Sequence, residues 1–281
     1  MNKLVNQRYT EERSLFASNN LELYECIFES SIGESPIKEA KDIVIRNSQF
    51  SMRYPVWHST NVKIYNTLFD LSTRAPFWYT TNLNIYDSKI YSPKALRECN
   101  DGLISNSVIE SSEFGWKIKK YSILDSTISG EYAFFESSEL DLNNVKFTGK
   151  YSFQYVKNST IKDSYLDTKD AFWHSENITV INSVVKGEYL GWYSKGLHLI
   201  NCQIIGTQPL CYCENLTLTN CTMIDCDLAF EYSSVDVLVN SSIDGVKNPL
   251  AGKIVSKGIK ELVIDDNNRA IEEVIIEEIK E

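Results

Sequence analysis

Carboxylates that could cleave a sugar polymer stand at a suggestive spacing in this sequence. Glycoside hydrolysis needs one carboxyl group as general acid and a second as base or nucleophile, a few ångströms apart. Asp170 and Glu188 are the pair best placed for this chemistry, because the interval between them is close to the repeat length of the chain. Chance pairs are common in an acidic chain, so they are weak catalytic candidates. The sequence leaves open whether the protein is an enzyme.

Aromatic residues recur along the chain at about the same interval. All five Trp follow a regularly spaced Asn or Asp by about ten residues, and His or Tyr often comes next. Aromatic rings stack on the apolar faces of sugars, while neighbouring charged groups bind hydroxyls. The predicted ligand-binding residues are Trp57, His58, Trp78, Tyr79, Arg97, Trp116, Trp173, His174, Trp192, Tyr193 and Glu231.

Histidine and cysteine give no pattern typical of a metal site. His58 and His174 hold equivalent positions in distant repeats, so they cannot share an ion, and His198 is predicted to lie on the surface. Cys211 and Cys213 form a C-x-C pair, but a zinc site normally needs a second pair that converges on it. We therefore predict buried free thiols, no metal and no cofactor.

Composition and charge narrow the partners and the location. Acidic residues outnumber basic ones by 38 to 28, and the net charge of −10 argues against nucleic acid. No apolar run is long enough to span a membrane, and the first fifteen residues do not resemble a secretory signal. Seven cysteines, an odd number, are typical of a reducing compartment, so a cytoplasmic location is predicted.

A regular sequence repeat must position these groups. The most regular part of the repeat has the pattern apolar-x-apolar-x-[Asn/Asp]-[Ser/Cys/Thr]-x-apolar, as in residues 83–90 and 178–185. Successive Asn or Asp residues are 19 apart, except for one step of 21 and a last step of 20. We call this set the Asn/Asp ladder: Asn47, Asn66, Asp87, Asn106, Asp125, Asn144, Asp163, Asn182, Asn201, Asn220 and Asn240.

Alternation of apolar and polar residues around the ladder predicts strands, and one repeat is too short for a strand, a helix and two turns. We therefore expect an all-β, single-stranded, right-handed parallel β-helix of about twelve coils in a single domain. Residues 19–247 should form the coils and residues 1–18 an N-terminal cap. Residues 248–281 should add a strand (261–266) and a cap over 267–281, either a helix or a β tail.

Several longer segments carry a family resemblance. The coils resemble those of the pectate-lyase-like β-helix superfamily. Nearly the whole chain resembles a microbial family of unknown function, through ERSLF (12–16), YPVWHS (54–59), RAPFWY (74–79), KDAFWHS (169–175) and GEYLGW (187–192). This resemblance implies the fold and assigns no catalytic residue.

Two adjacent columns of the repeat compete for the core, and the sequence does not decide between them. The phenylalanine column contains Val56, Phe77, Leu96, Gly115, Phe134, Phe153, Phe172, Gly191, Leu210 and Phe230. The tryptophan column, one residue later, contains Trp57, Trp78, Arg97, Trp116, Phe135, Gln154, Trp173, Trp192, Cys211 and Glu231.

Either choice leaves an apolar or aromatic outer surface, which usually marks a contact region. Three explanations stay open: a terminal segment covers it, it packs on another protein or a second copy, or it binds a carbohydrate. The favoured function is carbohydrate binding or processing along this face. The alternative is a non-catalytic scaffold or homo-oligomer.

Overall fold

Each repeat folds into one coil of a parallel β-solenoid, as predicted. In the coil that begins at Thr81, Leu83 and Ile85 point into the core and are fully buried, because alternate residues of a strand face opposite sides. Asp87 then adopts a left-handed conformation, with φ of 51°, which turns the chain. Ile90 of the next strand returns to the core. Apolar positions two and four before the ladder and three after it are therefore internal.

The computed structural model describes residues 1–265 and 274–279. The chain divides into two compact units, Met1–Lys146 and Phe147–Glu281. A 3₁₀ turn spans Leu71–Thr73. The strands up to residue 143 are β1 (Asn2–Val5), β2 (Arg8–Tyr9), β3 (Asn19–Tyr24), β4 (Ile27–Glu34), β5 (Lys41–Arg46), β6 (Gln49–Arg53), β7 (Thr60–Tyr65), β8 (Leu68–Phe69), β9 (Phe77–Trp78), β10 (Thr81–Tyr86), β11 (Lys89–Tyr91), β12 (Leu96–Arg97), β13 (Asn100–Ser105), β14 (Val108–Glu110), β15 (Lys119–Leu124), β16 (Thr127–Gly130) and β17 (Ser138–Asn143).

The same alternation of longer and shorter strands continues after residue 145. These strands are β18 (Lys146–Lys150), β19 (Lys157–Lys162), β20 (Tyr165–Lys169), β21 (Glu176–Ile181), β22 (Val184–Lys186), β23 (Lys195–Ile200), β24 (Gln203–Ile205), β25 (Leu216–Ile224), β26 (Ser234–Val239), β27 (Ile243–Lys247), β28 (Ala251–Ser256), β29 (Ile259–Val263) and β30 (Val274–Glu278).

Strands of successive coils pair in parallel and in register. In the first unit Ile85 of β10 lies opposite Ile64 of β7 on one side and Ile104 of β13 on the other. In the second unit Val180 of β21 lies opposite Leu199 of β23. Equivalent residues therefore stack on one another, which is the condition for any functional column.

The coils extend further than the sequence repeat indicated, to about 14 turns instead of twelve. β1 pairs with β3 in register, so part of the expected N-terminal cap continues the strand stack. At the other end β29 confirms the strand expected near residues 261–266, and β30 pairs with β28. Of the two alternatives for residues 267–281, the β tail is correct for Val274–Glu278, which is a strand, and the helix is wrong there. Residues 267–273 and 280–281 lie outside the described ranges. The sequence repeat is weak at both ends of the chain, so the pattern did not predict these coils.

The Asn/Asp ladder is present and is exposed at the corner after each first strand. Side-chain amides donate to the residue one coil earlier, as from Asn66 to Asn47 (3.0 Å) in the first unit and from Asn201 to Asn182 (3.1 Å) in the second. A second amide ladder, which the sequence analysis missed, stands five residues earlier. There Asn82 donates to Asn61 at 2.9 Å, and both residues have positive φ. These polar corners fix the path of the chain between strands.

Candidate functional site

The structure decides which aromatic column faces outward. Phe77 is 1% exposed and packs in the core, whereas Trp78 is half-buried at the surface. The same holds through both units: every member of the phenylalanine column is buried. The tryptophan column, apart from the buried Cys211, lies half-buried on the outside.

A left-handed residue explains why strand parity could not predict this. His58 and Tyr79, each directly after a tryptophan, have φ of 51° and 58°. The turn at that residue breaks the two-residue alternation of a strand. Ser59 and Thr80 are therefore buried although the tryptophans two residues before them point outward.

Each tryptophan is fixed to the surface by its indole N–H. In all five cases Nε1 donates to a backbone carbonyl 16 to 18 residues later, which belongs to the following coil. The indole thus braces two coils. The pairs are Trp57 to Ala75 (2.6 Å), Trp78 to Lys94 (2.9 Å), Trp116 to Tyr132 (2.5 Å), Trp173 to Tyr189 (2.7 Å) and Trp192 to Gln208 (2.8 Å).

In the first unit the tryptophan column forms a stack along the coils. The rings of Trp57 and Trp78 are 5.1 Å apart and nearly parallel. The Arg97 guanidinium then lies 4.6 Å from Trp78 and 4.6 Å from Trp116, so it takes the place of a ring, and Glu113 accepts its hydrogen bond at 2.6 Å. The Trp78 ring is therefore covered by Trp57 on one face and by the Arg97 guanidinium on the other.

In the second unit the residues after the tryptophan column form an aromatic stack at the surface, which we call the tyrosine row. Its first three rings are exposed and its last two are half-buried. Ring centroids are 5.0 Å apart from Tyr155 to His174, 5.0 Å from His174 to Tyr193 and 4.7 Å from Tyr193 to Tyr212. Tyr193 keeps 41% of its surface exposed. The row consists of Tyr155, His174, Tyr193, Tyr212 and Tyr232.

The equivalent positions of the first unit are less aromatic. His58 and Tyr79 stack at 4.7 Å, but the next three positions carry Glu98, Lys117 and Glu136. An uninterrupted exposed aromatic surface is therefore a property of the second unit.

Most charged groups beside the aromatic columns are paired within the protein. Glu231, a predicted ligand-binding residue, accepts from Lys247 at 3.1 Å. Burial and, to a lesser extent, the same carboxylate raise the pKa of Tyr212. Pairing of this kind leaves few free charges for a ligand on this face.

Asp170 and Glu188 lie on adjacent coils as predicted, but in different environments. The Asp170 amide donates to the Glu188 carbonyl at 2.9 Å, and Asp170 is only 5% exposed. Burial and the nearby Glu188 raise the pKa of Asp170, burial most, although Lys169 opposes this. Glu188 is exposed and its carboxylate is held by Lys169 at 2.7 Å. The pair thus combines a buried carboxyl group that resists ionisation with an exposed one that is paired with Lys169. Its catalytic use stays a prediction.

Asp170→Asn is expected to stabilise the protein at neutral pH. The folded chain binds the Asp170 proton more tightly than the unfolded chain does. The unaltered protein is therefore fully stable with respect to this group below pH 3.8, and it loses stability as the pH rises through the raised pKa and Asp170 must ionise. Asn removes the cost of ionisation and tolerates the left-handed φ of 53°. We expect the Tm to rise by about 1–3 °C at pH 7 and not at pH 3, measured by thermal denaturation.

Asp167→Asn is the control for this measurement. Asp167 is a half-buried residue whose carboxylate is paired with Lys186 at 2.9 Å, so its removal should leave the Tm unchanged or slightly lower. Equal stabilisation by Asp170→Asn at both pH values would contradict the assignment of Asp170.

The cysteines and His198 behave as structural residues. All seven cysteines are free and buried, as predicted, and burial raises the pKa of the Cys99 thiol to about 12. His198 is half-buried on an outward position of β23, 3.3 Å from the Thr219 hydroxyl. Within the described ranges, no group of three or more His, Cys, Asp or Glu residues is arranged to hold a metal ion, and no helix is long and apolar enough to cross a membrane.

Comparison with protein families gives a match over nearly the whole chain. Residues 2–277 match the model of a family described as proteins of unknown function, DUF3737. The chain belongs to this family. The family description assigns no activity, so the resemblance found in the sequence is confirmed at the level of fold and family alone. A search of curated proteins finds no match.

Comparison with solved structures gives matches at low sequence identity. The surface adhesin PfbA of Streptococcus pneumoniae is 12% identical, with 85% of this chain and 84% of that chain covered and a TM-score of 0.54. The A-module of the mannuronan C-5 epimerase AlgE6 of Azotobacter vinelandii is 13% identical, with 97% and 88% covered and a TM-score of 0.38. Tailspike protein 3 of bacteriophage CBA120 is 10% identical, with 98% and 56% covered and a TM-score of 0.41. At these identities the similarity to the adhesin concerns the fold alone.

Proposed function

We propose that this DUF3737 protein binds an extended oligosaccharide or polysaccharide along the tyrosine row of the second unit. The observation that carries the proposal is the regular stack from Tyr155 to Tyr212, with one ring per coil at spacings of 4.7–5.0 Å and the first three rings exposed. This repeat is comparable to the length of one sugar unit in an extended chain. A linear polymer can therefore meet an equivalent group at each coil.

The contact would use the edges of the rings instead of their faces. His174 and Tyr193 are stacked on their neighbours at interplanar angles of 9° and 8°, so a sugar cannot lie flat on an inner ring. Phenol hydroxyls and imidazole nitrogens are hydrogen-bonding groups that suit sugar hydroxyls. This revises the face-stacking mode expected from the sequence.

The stacked rings also favour a second candidate, an interaction with another protein. Interfaces are enriched in tyrosine, and a row of ring edges is flatter than a typical sugar cleft. In this case the face would bind a second copy of the chain or a different protein, and the protein would have no catalytic role.

Tyr193 offers the sharpest test of the proposal. Titration of the protein with linear hexasaccharides of neutral, amino and uronic sugars should shift the fluorescence of Trp192, whose ring is 6.4 Å from that of Tyr193. Tyr193→Phe keeps the ring stack and removes the hydroxyl, so it should weaken binding about three- to tenfold through one lost hydrogen bond. Tyr193→Ala should weaken binding at least as much.

The matched control is Tyr165→Ala, which removes a tyrosine of similar exposure (39%) on β20, away from the row. It should bind as the unaltered protein does. A flat response to every hexasaccharide would contradict the carbohydrate proposal. A mass that rises with protein concentration in light scattering, and falls in Tyr193→Ala, would then support the protein-binding candidate.

A further inference from the structure

An irregular coil of the first unit builds a groove on a different part of the surface. The step from Asn66 to Asp87 is longer by two than the regular step of the Asn/Asp ladder, and the additional residues form the 3₁₀ turn Leu71–Thr73. The Asp70 carboxylate fixes this turn by accepting from the Ser72 amide at 2.8 Å and from the Ser51 hydroxyl at 2.5 Å. Because Thr73 is fully buried, the turn is anchored on its inner side while Leu71 projects with 72% exposure.

The turn ends at Arg74, whose charge is not neutralised by any residue in the described part of the chain. Arg74 is exposed and has φ of 54°. It forms no ion pair with any of the described residues. The other described arginines each pair with a glutamate, in the combinations Arg8–Glu29, Arg13–Glu12, Arg46–Glu22, Arg53–Glu34 and Arg97–Glu113.

Arg74 lines an open groove that continues over the next two coils. Two connected hollows of about 480 Å³ and about 430 Å³ share Leu71 and Glu110, which gives room for a small ligand. Tyr91 and Pro93 supply apolar surface, and serine hydroxyls line the groove between them. The Ser92 hydroxyl is buried there and has no hydrogen-bond partner among the residues that the structure describes.

Glu110 is the complementary group. It is an exposed carboxylate on the groove and, like Arg74, takes part in no ion pair within the described part of the chain. The two charges therefore do not neutralise each other, although both line one groove. Glu131 adds a further carboxylate to the lining. A ligand that carries both an anionic and a cationic group would satisfy both sides.

We propose that this groove binds a small zwitterion, an α-amino acid or a dipeptide with an apolar side chain. Its carboxylate would pair with Arg74, which is suited to planar carboxylates, and its ammonium group with Glu110. The apolar side chain would pack on Leu71, Pro93 and Tyr91. This site does not depend on the carbohydrate proposal, since it lies in the first unit and uses none of the tyrosine row.

Isothermal titration calorimetry with L-leucine and with leucyl-leucine tests the proposal. It also shows whether the groove prefers an amino acid or a dipeptide, since both are zwitterions with an apolar side chain. N-acetyl-leucine retains only the carboxylate and leucinamide only the ammonium group, so each should bind about tenfold more weakly than the preferred zwitterion, a difference of about 1.4 kcal/mol. Arg74→Gln and Glu110→Gln should each weaken binding by a similar factor. Arg8→Gln, which removes an arginine already paired with Glu29, should have no effect.

Three results would overturn the proposal. The first is that neither leucine nor leucyl-leucine gives a saturable signal in the unaltered protein. The second is that binding persists unchanged in both Arg74→Gln and Glu110→Gln. The third is that N-acetyl-leucine binds as tightly as leucine, which would make the groove a simple anion site. Because Arg74 and Glu110 are exposed, both variants are expected to fold, and circular dichroism checks this.

Discussion

Gly206→Ala is expected to lower the free energy of unfolding by about 3–5 kcal/mol. A β-carbon at this position would lie 2.1 Å from the carbonyl oxygen of Gly187, which is backbone of the preceding coil and cannot rotate away. In addition, φ of 128° is a conformation that side chains rarely adopt. Either the corner must open or the two coils must separate.

Gly258→Ala separates these two causes. Gly258 has nearly the same φ, 130°, but its added β-carbon would meet nothing closer than a flexible Glu278 oxygen at 3.7 Å. Gly258→Ala should therefore lower the free energy of unfolding by about 1–3 kcal/mol, which is the cost of the strained backbone conformation alone. Chemical denaturation of both variants measures the difference. Equal losses would show that the close approach of the coils at Gly206 is not a constraint.

The second large effect is expected in the core beside the tryptophan column. Phe77→Ala should lower the free energy of unfolding by about 3–5 kcal/mol, because Phe77 is 1% exposed and its ring packs edge-on against Phe69 at 4.7 Å. Trp78→Ala should cost clearly less, about 1–2 kcal/mol, although the residue is larger. It loses one hydrogen bond, to the Lys94 carbonyl, and stacking at a half-buried position.

This pair tests the orientation of the two columns directly. Unfolding of each variant by denaturant under the same conditions gives both free energies of unfolding. A greater loss for Trp78→Ala than for Phe77→Ala would mean that the tryptophan column is the core column. The proposed role of the outer surface would then fail with it.

If the groove lined by Arg74 and Glu110 and the tyrosine row both bind ligands, they do so through different features of the repeat. The tyrosine row depends on regularity, because one ring per coil comes from an almost unvarying repeat length. The groove depends on an irregularity, because two additional residues lift Leu71 and Arg74 out of the coil. The regular tyrosine row suits a linear polymer, and the groove suits a small molecule.

The sequence by itself determined the coil, its period and much of its core. The spacing of the Asn/Asp ladder and the apolar positions around it depend on local alternation and on the identity of residues that stack, and both can be read from a repeat. Leu83, Ile85 and Ile90, which are apolar positions of this pattern, are buried in the interior. The repeat also placed Asp170 and Glu188 on adjacent coils.

Only the tertiary structure decided what the outer surface presents. The direction of Trp78 depends on the left-handed conformation of Tyr79, and a tyrosine carries no signal for that conformation as a glycine would. The covered ring faces of the tryptophans and the unpaired charge of Arg74 depend on contacts between residues of different coils, 16 or more positions apart. Such contacts depend on the exact path of each corner, which a repeat pattern does not specify.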